Sequence, residues 1–279
     1  MTDDPQPPAD RPIDRPLDLP TVGLGTMGIE DPAAVRTALG LGYRHLDTAQ
    51  IYENEAVVGE GLAAALGSAD SSLSREDVTL ATKLWIDALA ANDVPESARA
   101  SADRLGVDAI DLLYVHRPRG DYDPEGTLPA MADLVDEGLV RHVGVSNFER
   151  DQLDHAVEVL ADRGLRLAAH QTELHPLYHR PELLDHAREH GYPVVAYSPL
   201  AGGRAGEVEA LRTVAEKHGT TPAAVSLAWV LAKEPVVAIP KASSEAHQRA
   251  NLAAAELELD PEDVARIDAI DREEELYPE

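Results

Sequence analysis

The chain has 279 residues and no cysteine, which excludes disulfides, thiolate catalysis and cysteine-ligated metals, and we assign no metal site. Its 51 acidic residues outnumber 24 basic ones, and the resulting formal charge of −27 disfavours nucleic acid and anionic membranes as partners. The length and a hydrophobic fraction of 44% suit one α/β barrel, so we expect residues 16–279 to form a single domain.

The acidic residues are spread over all the predicted helices rather than collected in one tail. Lysine occurs only at positions 83, 217, 233 and 241, so arginine supplies most of the positive charge. This composition resembles that of proteins from halophilic organisms, in which concentrated salt screens the repulsion among surface carboxylates. An ordinary acidic cytosolic enzyme is the alternative interpretation.

Residues 1–15 are rich in proline and aspartate and contain no apolar run. They lack the pattern of a signal peptide or a transmembrane span, and we predict a disordered arm. The other apolar stretches are too short to cross a bilayer. We therefore expect a cytoplasmic protein.

Strand-like and helical segments alternate along the chain. The predicted strands cover residues 22–25, 44–46, 78–82, 110–115, 140–145, 167–171, 194–197 and 236–239. An amphipathic segment follows each of them, and the first begins at Asp31-Pro32, where proline suits the first helical position. Eight β/α units with short, right-handed connections favour a closed (β/α)8 TIM barrel, with a doubly wound sheet as the alternative.

A glycine-rich loop at residues 23–28 is superficially similar to the G-x-G-x-x-G dinucleotide fingerprint. That fingerprint requires the helix to open within the glycines, whereas the helix here is predicted to begin only at Asp31-Pro32. We interpret these glycines as a tight loop at the mouth of the barrel.

Four ionisable residues lie at or just past the ends of three predicted strands, namely Asp47, Tyr52, Lys83 and His116. The active sites of (β/α)8 barrels are built at these strand ends. Each residue has a simpler explanation by itself: a surface tyrosine, a solvated lysine, a helix N-cap or a hydrogen-bonded histidine. Their joint placement favours an active site.

A series of short motifs carries a family resemblance. They are DTAQIYENE at 47–55, TKLW at 82–85, LYVH at 113–116, GVSNF at 144–148, QTELHP at 171–176, AYSPL at 196–200 and IPK at 239–241. In this order they resemble the aldo-keto reductase superfamily from about residue 17 to 270, and in particular its short prokaryotic members. The resemblance implies reduction of aldehydes and ketones.

Carbonyl reduction needs a hydride donor and an acid that protonates the oxygen. No side chain donates hydride, so a nicotinamide cofactor is implied. A tyrosine can be this acid if a nearby ammonium brings its pKa closer to neutral. Tyr52, Lys83 and Asp47 supply this arrangement, and the resemblance makes His116 the residue that orients the carbonyl. A non-catalytic subunit that senses the cofactor is the alternative, but such a subunit does not need Tyr52.

The resemblance also implies a cofactor site. Its residues are Gly25, Thr26, Ser146, Asn147, Gln171, Tyr197, Ser198, Leu200, Lys241, Ser243, His247 and Asn251. His247 stands where the family usually has an arginine, and Ala250 where it has a glutamate, which removes two contacts to the adenosine end. Lys241 still favours NADP(H), while NAD(H) remains possible.

Trp85 and Arg117 are the predicted substrate-pocket residues, and Arg117 stands where many members carry tryptophan. Only residues 271–279 follow the last predicted helix, so we expect an open pocket. The expected substrates are small aldehydes, α-dicarbonyls or keto compounds. We expect a monomer.

Overall fold

The computed structural model describes residues 17–68 and 72–278, so the predicted arm at 1–15 lies outside the described residues. Its strands are β1 (Leu24–Gly25), β2 (His45–Asp47), β3 (Thr79–Leu84), β4 (Ile110–Val115), β5 (Val140–Ser146), β6 (His170–Glu173), β7 (Val194–Tyr197) and β8 (Val236–Ala238). All neighbours are parallel and follow chain order. Parallel bridges from Val22 to Ala238 and from Gly25 to Lys241 join the first strand region to the last. The predicted barrel is confirmed, and the doubly wound alternative is excluded.

The helices lie outside the sheet. They are α1 (Pro32–Leu41), α2 (Glu55–Leu66), α3 (Val94–Leu105), α4 (Pro124–Asp136), α5 (Arg150–Asp162), α6 (Pro181–His190), α7 (Glu209–His218), α8 (Pro222–Leu231), α9 (Glu245–Ala254) and α10 (Pro261–Asp268). Asp31 caps α1 as predicted, because its carboxylate accepts a hydrogen bond of 2.8 Å from the backbone N–H of Ala33. Proline also stands in the first turn of α3, α4, α6, α8 and α10, where its missing N–H is not needed.

Several predicted strand boundaries differ from the observed ones by one to three residues, and two of these differences concern the candidate site. The sixth strand is His170–Glu173 rather than 167–171, because Ala168 makes only a single bond to Val143 before the paired register begins at His170. Lys83 lies within β3, one residue before its end, rather than just after a strand. Lys83 nevertheless stays near the carboxyl end of β3, whereas Gln171 is the second of the four residues of β6.

Apolar side chains fill the inside of the barrel as well as the layer between the sheet and the helices. The inner cluster consists of Ala81, Leu112, Tyr114, Ala169, Val195 and Ile239. Leu17 and Leu19 pack against it. Because the interior is packed, ligands have access only to the ends of the barrel. In the part of the chain that the structure describes, no helix has the length and hydropathy needed to cross a membrane.

Candidate active site

A cavity of about 560 Å³ lies at the carboxyl ends of the strands. Its walls include most of the predicted site residues, which are Gly25, Thr26, Asp47, Tyr52, Trp85, His116, Arg117, Ser146, Asn147, Gln171, Tyr197, Ser198, Leu200 and Lys241. Lys83 lies behind the wall and is fully buried. Ser243, His247 and Asn251 do not line the cavity: the first two are exposed beyond Lys241, and Asn251 is buried near Tyr43. Met27, Ile51 and Tyr277 line it although the sequence did not indicate them.

A buried ion pair lies beneath this cavity. Lys83 Nζ donates to Asp47 Oδ1 at 2.5 Å and to the backbone oxygen of Thr48 at 2.7 Å, and both charged side chains are almost completely inaccessible. Burial alone would lower the pKa of the Lys83 ammonium, but Asp47 and Tyr52 outweigh it, so the pKa is raised. Lys83 therefore remains a cation in a region of low polarity.

Tyr52 lies on a short 3₁₀ turn directly above this pair. The Lys83 Nζ atom is 5.2 Å from the centroid of the Tyr52 ring. Burial raises the pKa of the phenol, Lys83 lowers it and Asp47 raises it, and the net result is a raised pKa. The expectation that this pKa is brought closer to neutral is therefore wrong: the neighbouring carboxylate offsets part of the lysine's effect, and desolvation exceeds the remainder. Tyr52 is a protonated phenol at neutral pH.

His116 follows β4 directly, as predicted, and completes an aromatic group around the cavity. Its ring stands edge-on to Tyr52 at 5.9 Å and to Trp85 at 4.9 Å between centroids. Burial lowers the pKa of His116 to about 2, and the charges of Lys83 and Arg117 add to this effect. The imidazole is therefore neutral, which allows one ring N–H to donate without carrying a charge.

A second group of polar side chains forms the adjoining wall. Asn147 Nδ2 donates to the backbone oxygen of His116 at 2.9 Å, and Asn147 Oδ1 accepts from the Tyr197 hydroxyl at 2.8 Å. Asn147 and Ser198 have left-handed φ angles of 61° and 51°. Such strained backbone in residues other than glycine is concentrated at functional sites, because the surrounding structure must hold it in place.

The loop that carries Tyr52 is fixed by Asn54, a residue that sequence reasoning did not assign to the site. Its amide donates to the backbone oxygens of Thr26 at 2.7 Å and Ile29 at 3.1 Å, and its side-chain oxygen accepts from the Thr48 hydroxyl at 2.9 Å. Asn54 thus ties the loop after β1 to the loop after β2. The sequence signal that could have indicated this role is the position of Asn54 within the motif at 47–55.

The carboxy-terminal segment reaches the cavity. The expectation that so short a tail leaves the pocket uncovered is therefore wrong, because Tyr277 lines it. The buried Glu173 carboxylate accepts backbone N–H bonds from Leu276 at 2.8 Å and from Tyr277 at 3.1 Å. It also lies 2.8 Å from His175 Nε2. Tyr277 then packs edge-on against Tyr197, with 5.8 Å between ring centroids. The tail therefore forms part of the cavity wall.

The cavity has the chemical groups that a nicotinamide dinucleotide requires. Side-chain amides, hydroxyls and an aromatic ring lie along one wall, and the ammonium of Lys241 lies at the rim. At Gly25 a side chain has no room, because a Cβ would stand 2.5 Å from the backbone oxygen of Ile239. Gly25, the last residue of β1, thus lets the backbone of the first strand lie close against residues 239–241. Amide, aromatic and cationic groups match a carboxamide, a ring and phosphates.

Comparisons with known proteins agree with this geometry. A profile of the Aldo/keto reductase family matches residues 21–272. The chain is 35% identical over 263 residues to methylglyoxal reductase DkgB of Escherichia coli O157:H7, covering 92% of this chain and 95% of that one. It is 34% identical over 264 residues to glyoxal reductase of Bacillus subtilis, covering 93% of this chain and 92% of that one. The solved aldose reductase of Schistosoma japonicum superposes with a TM-score of 0.85 at 30% identity over 92% of this chain and 90% of that one. The chain belongs to the aldo/keto reductase family.

Proposed function

We propose that this protein is an NADPH-preferring reductase of small aldehydes and α-dicarbonyl or keto compounds, with Tyr52 as the general acid. As a member of its family it is an oxidoreductase that reduces carbonyl groups with a nicotinamide cofactor. The residue roles rest on one observation above all. The buried Asp47–Lys83 pair holds a cation 5.2 Å from the centre of the Tyr52 ring, at the wall of the cavity.

When bound, the reduced nicotinamide supplies the hydride that no side chain can donate. As the carbonyl oxygen gains charge, the Tyr52 hydroxyl gives up its proton to that oxygen. The Lys83 ammonium stabilises the phenolate that remains on Tyr52, and Asp47 keeps the ammonium in position. Neutral His116 donates a hydrogen bond to the same oxygen. Tyr52 is protonated at neutral pH and so has a proton to give, and the Lys83 charge, which lowers its pKa, offsets part of the cost of forming the phenolate in this buried site.

We assign the cofactor contacts to three regions. Ser146, Asn147 and Gln171 bind the carboxamide, and Tyr197 stacks on the nicotinamide ring. For the phosphate and adenosine regions we propose Gly25, Thr26, Ser198, Leu200 and Lys241 at the cavity, and Ser243, His247 and Asn251 beyond it, after Lys241 in the chain. Lys241 carries the NADPH preference, because its ammonium at the cavity rim can pair with a 2′-phosphate.

The substrate class is supported by the cavity and by two relatives. Trp85 lies edge-on to His116 and offers an apolar wall to a small carbonyl compound. Arg117 adds a guanidinium to the same cavity, which favours substrates with several oxygen atoms over simple aliphatic aldehydes. The relatives named methylglyoxal reductase and glyoxal reductase fit this preference.

The direct test is steady-state turnover in 1 M KCl with a panel of carbonyls, including methylglyoxal, glyoxal, a 2-keto acid and aliphatic aldehydes. Each is assayed with NADPH and with NADH. We expect the highest kcat/KM for α-dicarbonyls with NADPH. A protein that binds NADPH tightly but reduces none of these compounds would contradict the proposal and support a regulatory, cofactor-sensing role.

The cofactor preference has its own test, because His247 is exposed near the proposed adenosine site. His247→Arg should increase the affinity for NADPH relative to NADH by about tenfold, the value of one charge-assisted hydrogen bond. Ala246→Arg is the matched control, since it adds the same charge at the neighbouring exposed position. Equal gains in both variants would indicate general charge attraction and contradict a specific phosphate contact at 247.

We also propose that the enzyme is a cytoplasmic monomer adapted to concentrated salt, as in a halophilic organism. The support is compositional: a formal charge of −27 with only 24 basic residues, spread over a single folded domain. Such self-repulsion is tolerated where the Debye length is short.

A further inference from the structure

Three side chains of types that can bind a metal ion lie together between α5 and α6, away from the cavity. They are Asp154, His186 and His190, and one nitrogen or carboxylate oxygen from each lies within 4.8 Å of the others. Helix α6 ends at His190, shortly before β7 begins at Val194. Asp154 lies in the second turn of α5, so the cluster belongs to the outer layer of helices, and none of its three residues lines the cavity.

His186 has the environment of a metal-ligating histidine. Its side chain is fully buried, with Nδ1 at 2.5 Å from the Tyr192 hydroxyl oxygen and Nε2 at 3.1 Å from Asp154 Oδ1. When Nδ1–H donates to Tyr192, the Nε2 lone pair faces the carboxylate. A second hydrogen bond of this kind commonly fixes the tautomer of a ligating histidine.

His190 lies one helical turn after His186, the i, i+4 spacing that places two side chains on one face. The two rings are 4.2 Å apart between centroids. Ligand atoms around a tetrahedral ion lie roughly 3.3 Å apart, as follows from metal–ligand distances of about 2.0–2.1 Å. His190 is only half-buried and Asp154 is exposed, so these two side chains can turn the remaining distance.

We propose that Asp154, His186 and His190 bind one divalent transition-metal ion such as zinc, with water as the fourth ligand. Two imidazoles and one carboxylate suit zinc or cobalt better than calcium or magnesium, which prefer oxygen ligands. The ion connects α5 to α6. Its position between two outer helices, apart from the cavity, indicates a role in stability rather than in carbonyl reduction.

The test uses untagged full-length protein freed of metal with a chelator and then titrated with Co²⁺. The buffer contains 1 M KCl and excess Mg²⁺, which occupy weak sites on the acidic surface. We expect one Co²⁺ per chain with the visible absorption of four-coordinate cobalt, and its displacement by Zn²⁺. Zinc should raise Tm, since it binds the native state.

Two variants keep the test independent of the buried histidine. His190→Ala and Asp154→Asn should each weaken metal affinity by at least about tenfold. His155→Ala is the control, because His155 also lies on α5 within 3.0 Å of a carboxylate, that of Glu125, but outside the cluster. Binding that is absent in the parent protein, or equal in the parent and His190→Ala, would overturn the proposal. The rate of carbonyl reduction should be unchanged in all three variants.

Discussion

Gln171 donates its side-chain amide to Asp47, with 2.7 Å between Nε2 and Oδ2. Asp47 thus accepts from Gln171 on one oxygen and from Lys83 on the other, and all three side chains are buried. A residue of the proposed carboxamide site is therefore connected directly to the ion pair beneath the proposed acid. A change at Asp47 should affect both cofactor binding and proton transfer.

Asp47→Asn is expected to destabilise the fold. It leaves the buried Lys83 ammonium without a counter-charge, and breaking such a pair costs about 3–5 kcal/mol of unfolding free energy. Urea unfolding with and without NADPH measures the effect. Glu137→Gln is the control, because it removes the carboxylate of the exposed Arg99–Glu137 pair and should cost at most about 1 kcal/mol. Equal losses of unfolding free energy in the two variants would mean that the buried Asp47–Lys83 pair contributes no more to stability than an exposed ion pair.

Tyr52→Phe separates proton donation from packing. Loss of the hydroxyl should reduce kcat about 10²- to 10⁴-fold, the usual value of general acid catalysis, while Kd for NADPH changes little. Pre-steady-state measurement of the hydride-transfer step ensures that chemistry is observed rather than product release. Tyr122→Phe removes a hydroxyl outside the cavity and should be silent. Near-normal hydride transfer in Tyr52→Phe would exclude Tyr52 as the acid.

Tyr277→Ala tests the tail that forms part of the cavity wall. The ring of Tyr277 lines the cavity and packs against Tyr197, the ring proposed to stack on the nicotinamide, so its removal should loosen the wall where a carbonyl would meet the cofactor. We expect KM for small carbonyls to rise several-fold with little change in kcat, since no proposed catalytic group is altered. Glu173→Gln should act in the same direction, because it weakens the backbone contacts that hold the tail. Unchanged KM in both variants would show that the tail does not contribute to substrate binding.

Stability should fall as the pH decreases below about 6.5. Burial lowers the pKa of His45 to about 4, that of His116 to about 2 and that of His170 to about 3. The unfolded chain binds protons at these histidines near pH 6.5, whereas the folded chain does not, so their contribution is complete above that pH and is lost below it. As the pH falls from 6 to 5, each of these three histidines should reduce the unfolding free energy by about 1.4 kcal/mol. His170→Gln should remove one such contribution from the slope of urea-derived stability against pH, and an unchanged slope would contradict the assignment.

Salt dependence tests the halophile proposal. Lowering KCl from 1 M to 0.1 M lengthens the Debye length from about 3 Å to about 10 Å, so repulsion among the surface carboxylates increases. Tm and activity should both fall, and NADPH should partly restore Tm because it binds the native state. Salt also screens Lys241 from phosphate, but this contact involves few charges and should be the smaller effect. A Tm that is independent of KCl would remove the proposal and leave the reductase assignment intact.

The sequence by itself determined the barrel and most of the cavity wall. Alternating strands and helices specify parallel strands in chain order, and the carboxyl ends of such strands meet on one face. Residues such as Asp47 and His116, placed at strand ends, could therefore be assigned to one site without coordinates. The strand boundaries were predicted less accurately, as the sixth strand shows. A strand begins where the neighbouring strand provides peptide groups for hydrogen bonding, and this depends on the fold.

Only the tertiary structure decided properties that depend on a balance or on distant contacts. The direction of the pKa of Tyr52 follows from burial competing with two opposite charges, and charge pattern alone suggested the opposite sign. Glu173 holds Tyr277 from 104 residues away. Asp154 meets His186 from the neighbouring helix, 32 residues away, with no recognisable spacing. The local sequence determines which side chains lie at the end of a strand or helix. Their pKa values and contacts depend on the groups that the folded chain brings around them.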